Sequence, residues 1–295
     1  MIRDEIITKL QGGLGNQMFQ YAIGRHLALK NNANLKLDIS YYESEKMRKY
    51  GLDVFNITEN FATPEEISWF NKFKRRGGKI WVLYNKIFAN NKIYVQPKHF
   101  HFDPEVLTLK HPLYLNGDWV TEKYFKDIED TIRKEFTVKN ELTGKDKEIA
   151  KIITNTNSIG IHIRRADYIT DTATTDYHGV CSMEYYDKAV KFIAQKIDNP
   201  HFFIFSDDHE WMEQNMNLDF PVTYVSHNTI DKGYADLRLL SMCQHQIIAN
   251  STFSWWGAWL NTNPNKIVLA PKKWFNKVKS NVNTKDVIPE SWIKL

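Results

Sequence analysis

The 295-residue sequence predicts an α/β protein made of two Rossmann-like domains. Three observations predict it. The chain opens with a strand, a glycine turn, a helix and a second strand in quick succession. From Ser158 onward, short β-branched or aromatic runs alternate regularly with amphipathic runs, the pattern of a parallel sheet with crossover helices. Between these halves, residues Asn140 to Asn157 are first charged and then rich in Thr and Asn, which marks a boundary. Residues 1–150 therefore read as one domain and 151–295 as the other.

Taken in order, Glu5 to Leu10 reads as the first strand and Gly12 to Gly15 as a tight turn. A helix begins at about Asn16, with Phe19, Ala22, Ile23 and Leu27 along one face, and Leu35 to Ile39 is the second strand. Gly13-Leu14-Gly15 with Asp38 downstream mimics a dinucleotide fingerprint, but Met18 stands where the third glycine belongs, which argues against NAD. The turn still suits an anion, because free N–H groups at a helix N-terminus attract negative charge. Gly13, Gly15, Asn16 and Gln17 are the candidate residues there, the last two through their side-chain amides. Tyr41 to Gly78 is polar and aromatic, and its basic run Lys72 to Arg76 reads as a solvated face. The aromatic stretches Ile93 to Phe102 and Leu113 to Phe125 suit stacking on sugars as well as ordinary burial.

In the second half, strands are expected at Ser158–Arg164, His201–Phe205, Val222–Val225, Gln246–Ala249 and Lys266–Ala270. Helices are expected at Met183–Ile197, His209–Met216, Tyr234–Cys243 and Ser254–Asn261. Within the first strand Ile159, Ile161 and Ile163 share one face. The other parity carries His162 and Arg164, with Arg165 and Asp167 where the strand ends. Ligands of open α/β sheets sit outside the carboxyl ends of strands, and paired guanidiniums there suit phosphate oxygens. Asp207 and Asp208 follow a second apolar strand, where one of them could cap the next helix. Ser251, Thr252, Phe253 and Ser254 lie between a strand and a helix, where hydroxyls and N–H groups suit a phosphate. Trp255, Trp256 and Trp259 read as helix packing.

Composition limits the function. A net charge of +4, dispersed along the chain, gives no case for nucleic acid and is compatible with an anionic substrate or peripheral attachment to an acidic inner-membrane face. Cys181 and Cys243 lack metal-ligand spacing and read as reduced thiols of a cytoplasmic protein. No apolar run approaches membrane-spanning length. The sequence contains neither an Asp-x-Asp pair nor a phosphate-binding P-loop motif, so no metal or cofactor is expected and arginines would neutralise a diphosphate.

The stretch His162-Ile163-Arg164-Arg165-Ala166-Asp167 resembles the HxRRxD donor motif shared by α1,2-, α1,6- and protein O-fucosyltransferases. Gly12 to Ala22 and Asn250 to Trp259 resemble two further motifs of the α1,2 branch, glycosyltransferase family 11, in the family's order and across nearly the whole chain. The resemblance implies the GT-B architecture, two Rossmann-like domains facing across a cleft, with an acceptor-side first domain and a GDP-fucose-binding second domain. It implies that Arg164 holds the β-phosphate, that His162 contacts the guanosine and that the glycine loop faces the diphosphate and sugar. It also implies that Asp207 or Asp208 accepts from guanine N1–H and the 2-amino group. Gly117-Asp118-Trp119 departs from the family, which usually has an aromatic residue where Asp118 stands.

The expected activity is an inverting, metal-independent α1,2-fucosyl transfer from GDP-fucose to the 2-hydroxyl of a terminal galactose. The acceptor would be an oligosaccharide or lipid-linked glycan in surface-glycan assembly. Inversion calls for a base, and Asp167, Asp171, Asp176 and Glu184 are the carboxylates near the motif, Asp167 belonging to it. The alternatives are transfer of another GDP-sugar or linkage, and a lectin that uses its tryptophans.

Overall fold

The structure, a computed structural model, describes residues 4–72, 93–97, 99–165, 179–275 and 283–295. The chain divides into two compact units. The first comprises Met1–Lys139 with Asn283–Val287, and the second Asn140–Val282 with Ile288–Leu295. A boundary after residue 150 would cut the helix Gly144–Thr154, so the division lies earlier, at Lys139.

In the first unit a sheet in the order β2-β1-β4-β3 is parallel throughout. Its strands are β1 (Glu5–Lys9), β2 (Asn34–Asp38), β3 (Tyr94–Val95) and β4 (Leu113–Leu115). Helix α1 (Leu14–Asn31) connects β1 to β2 and ends at Asn32, whose left-handed φ of 49° closes the last turn. The sequence showed that Met18 denies the helix a glycine contact in its first turns. The close approach occurs further along, where a Cβ on Gly24 would come within 2.9 Å of Leu35 and 3.1 Å of Thr8. The described residues of this unit also form helices α2 (Pro64–Asn71) and α3 (Glu129–Glu135); Thr63 and Glu66 form a reciprocal capping box on α2. Of the basic run Lys72 to Arg76, only Lys72 is among the described residues. The returning segment is tied in by Asp286, which pairs with Lys123 at 2.8 Å and accepts from the Phe102 N–H.

The second unit holds a parallel sheet in the order β10-β9-β8-β5-β6-β7. Its strands are β5 (Asn157–Ile163), β6 (Pro200–Ser206), β7 (Val222–Val225), β8 (His245–Ile247), β9 (Val268–Ala270) and β10 (Ile293–Lys294). Helices α4 (Gly144–Thr154), α5 (Met183–Ala194), α6 (His209–Asn215), α7 (Gly233–Met242) and α8 (Thr252–Leu260) cover it. Alternation along β5 does what its sequence demands. Ile159, Ile161 and Ile163 are buried in one core with Tyr186 and Ile193 of α5 and Met212 of α6.

Gly160 points to the other face, where a Cβ would come within 2.5 Å of Leu240. Gly257 of α8 meets the same leucine at the same distance. Leu240 is thus held between two glycines, which lets α7 pack closely on both β5 and α8. Trp255, Trp256 and Trp259 are buried and contact one another, so they are packing. Among the described residues no helix is long and apolar enough to cross a membrane.

Candidate functional site

The centre of the second sheet brings the motif residues together. β5 lies between β8 and β6, and the register pairs Ile163 with Ser206. One step further on, Arg164 stands beside Asp207, and their Nη1 and Oδ2 are 3.0 Å apart. Asp207 Oδ1 accepts the backbone N–H of Arg165 at 2.8 Å. One carboxylate therefore fixes both the charge and the backbone of the arginine pair.

Asp208 is the helix cap. Its Oδ1 accepts from the Trp211 N–H at 3.2 Å, and its own N–H donates to Ser206 Oγ at 3.0 Å. The Arg165 guanidinium lies over the Trp211 ring at 3.8 Å, with Nε 3.6 Å from Asp208 Oδ2. Sequence reasoning missed Trp211. The available signal was an aromatic residue in the first turn of the helix that follows the acidic pair.

His162 is buried and its ring lies 5.1 Å from that of Phe253. Burial first, and then the Arg164 charge, push its pKa down to about 3, so the imidazole is neutral at physiological pH. Its carbonyl accepts from the Tyr186 hydroxyl at 3.2 Å, which anchors the strand end.

Three polar atoms in this small region are buried without a hydrogen-bond partner among the described residues: His162 Nδ1, Arg165 Nε and Asp207 Oδ2. Asp207 Oδ2 has the Arg164 charge beside it but no aligned N–H. An unmade buried hydrogen bond costs about 1–3 kcal/mol. Three together, two able to accept and one to donate, describe a surface shaped for a polar ligand.

The serine-rich turn contributes less than its composition suggests. Ser251 Oγ accepts the Phe253 N–H at 3.3 Å as the cap of α8. The buried Ser254 hydroxyl donates inward to the Ala249 and Ser251 carbonyls, at 3.3 and 3.2 Å. Both hydroxyls therefore make hydrogen bonds within the turn that starts α8. Phe253 reaches the site through the His162 ring, and Thr252 begins the helix. Asp167, Asp171 and Asp176 lie outside the described residues. Glu184 is paired with Lys188 at 2.6 Å on the exposed side of α5 and does not suit a base.

The glycine turn belongs to the first unit. Gly12 has a φ of +75°, and a Cβ there would lie 2.9 Å from Asn16 Nδ2, so this turn requires glycine. A Cβ on Gly13 would meet nothing within 4 Å, which leaves open space at the helix N-terminus. Gly15 is buried in the first turn of α1.

Gln17 is not a free amide. Its Nε2 donates to the Gly12 and Lys49 carbonyls at 3.2 and 2.9 Å, and its Oε1 accepts the Gly51 N–H at 2.9 Å. It fastens the segment Lys49–Gly51 to the turn. Asp118, three residues beyond β4, has its carboxyl held above the usual range by burial. Among the described residues, no group of three or more His, Cys, Asp or Glu side chains could hold a metal ion.

Comparison with known proteins identifies the family. A family model described as "Glycosyl transferase family 11" matches residues 4–295. An Escherichia coli protein named alpha-1,2-colitosyltransferase is 33% identical over 98% of this chain and 98% of its own. The E. coli O-antigen biosynthesis glycosyltransferase WbnK is 36% identical over 97% of this chain and 99% of its own. Among solved structures, NodZ alpha-1,6-fucosyltransferase soaked with GDP-fucose matches with a TM-score of 0.50 at 14% identity, covering 88% of this chain and 92% of that one. At that identity the likeness shows the fold, which is GT-B.

Proposed function

Because the chain belongs to glycosyl transferase family 11, we propose that it is an inverting, metal-independent α1,2-transferase that moves L-fucose from GDP-fucose to a galactose-type acceptor. The acceptor atom is the 2-hydroxyl of a terminal galactose on a surface glycan. The observation that carries this reading is the set of unsatisfied buried atoms of His162, Arg165 and Asp207 beside Arg164 at the carboxyl ends of β5 and β6. A neutral imidazole, two guanidiniums and one acceptor oxygen match a nucleoside diphosphate, which combines negative charge with base and ribose edges.

In the proposed reaction the acceptor oxygen attacks C1 of the donor sugar, the bond from C1 to the β-phosphate oxygen breaks, and the hydroxyl proton passes to a base. Arg164 stabilises the diphosphate as its charge grows, which is the service a metal gives in other transferases. Arg165, held on Trp211, adds a second charge to the same place. Asp207 Oδ2 takes an N–H of guanine. The motif carboxylate Asp167 is the candidate for the base that takes the hydroxyl proton.

A second reading is favoured by one specific observation, the whole-length relative named alpha-1,2-colitosyltransferase. Colitose is fucose without its 3-hydroxyl, so both donors fit the same chemistry and differ in one polar contact. Incubation of the protein in EDTA with GDP-fucose, GDP-colitose or GDP-mannose and a β-galactoside tests both readings. Transfer of fucose to O2 of galactose supports the first, and preference for colitose supports the second. Dependence on added Mg²⁺ or Mn²⁺ would overturn the metal-independent mechanism.

A further inference from the structure

Within the first unit, the segment that follows β3 encloses a cavity of about 240 Å³. Its walls include Tyr94, His99, His101, Asp103, Glu105 and Tyr124. The two imidazoles stack on each other, with centroids 5.0 Å apart and planes at 26°. The Nδ1 atoms of both are buried without a partner among the described residues. Around them the walls are fixed by hydrogen bonds. Tyr124 Oη accepts the Asp103 N–H at 3.0 Å, Asp103 Oδ1 accepts the Glu105 N–H at 3.0 Å, and Tyr94 Oη accepts from Asn116 Nδ2 at 2.6 Å.

We propose that this cavity is a subsite for one sugar ring of the acceptor glycan, held by His99 and His101. The proposal rests on the transferase reading for the identity of that glycan. Four features define the occupant. An imidazole carries two ring nitrogens that hydrogen-bond in different directions, which suits hydroxyls that both give and take hydrogen bonds. The negative charges of Asp103 and Glu105 on the cavity wall disfavour a phosphate. Tyr94 and Tyr124 add aromatic surface for the apolar face of a pyranose. The volume falls below the roughly 300–1,000 Å³ of sites for larger ligands, so it admits one ring and not a chain.

The test is glycan binding by saturation-transfer NMR with methyl β-galactoside and lactose, run beside GDP titration and steady-state kinetics. His99→Ala and His101→Ala should each weaken lactose binding and raise the acceptor KM about tenfold, as for loss of a buried hydrogen bond. GDP affinity, donor KM and kcat should stay within twofold. In the wild-type protein, imidazole ¹⁵N resonances of these two histidines should shift with lactose and not with GDP, a readout that survives misfolding of a variant. Transfer activity with a lactose affinity indifferent to both substitutions would overturn the subsite and leave the transferase reading standing. Lactose bound through these histidines, with no transfer from any GDP-sugar, would support the sugar site and retire the transferase reading.

Discussion

Arg164 Nη1 lies 3.0 Å from Asp207 Oδ2, yet that oxygen accepts no aligned hydrogen bond among the described residues. The aspartate holds the guanidinium by charge and leaves its own acceptor open. Asp207 thereby fixes the position of the Arg164 guanidinium at the carboxyl end of β5.

Arg164→Ala should lower kcat/KM about 100-fold or more, the loss typical of removing one donor to a developing anion, roughly 2.7–4 kcal/mol. Arg164→Lys should recover only part of it, because an ammonium cannot hold two oxygens in one plane. Steady-state kinetics with varied donor decide it. A Lys variant with near-normal rates would end the bidentate description.

The two aspartates should separate by assay. Asp207→Asn should shrink the discrimination between GDP and IDP, which lacks the 2-amino group, because the open acceptor is altered. Asp208→Ala should leave that ratio alone and cost about 1 kcal/mol of stability through loss of the α6 cap. Calorimetric titration with both nucleotides and urea denaturation of each variant check the assignment. An unchanged ratio in Asp207→Asn would place guanine recognition elsewhere.

His162 predicts a pH dependence of stability. Its folded pKa is lowered from 6.5 to about 3, so below pH 6.5 the unfolded chain takes a proton that the folded protein refuses. The contribution is complete above 6.5 and is lost as pH falls toward about 3, by up to about 1.4 kcal/mol per pH unit. His162→Asn removes this dependence. The stability gap between wild type and variant in urea should be about 2 kcal/mol smaller at pH 5 than at pH 7. A gap that does not move with pH would mean that His162 is not buried neutral.

Gln17→Ala should lower stability by about 1–3 kcal/mol, since two carbonyls and one N–H lose their partner. GDP affinity per folded molecule should not change. A large affinity loss at full stability would restore Gln17 as a ligand contact.

The sequence disclosed most of the second unit, and for a plain reason. In a buried parallel sheet each strand is a short apolar run and each helix carries a stripe, so Ile159, Ile161 and Ile163 revealed their shared face without help. Strands β3 and β4 were not legible, because two or three residues hold no periodicity and their pairing is set by neighbours far away in the chain. The motif residues at strand ends were legible from chemistry alone. What they do was not, because Asp207 and Asp208 are the same residue type, adjacent in sequence, and only the register of β5 on β6 and the start of α6 separate their roles. The internal hydrogen bonds of Gln17 and Ser254 were hidden for a related reason. A polar side chain beside a glycine turn or a helix start reads identically whether it faces a ligand or binds its own backbone.

The most direct measurement is calorimetric titration of the wild-type protein with GDP, and with UDP and ADP as competitors, in the presence of EDTA. The account predicts saturable one-to-one GDP binding without metal, weakened at least tenfold in Arg164→Ala and not displaced by UDP or ADP at equal concentration. Absence of GDP binding, with galactosides still bound, would contradict it and leave a lectin in its place.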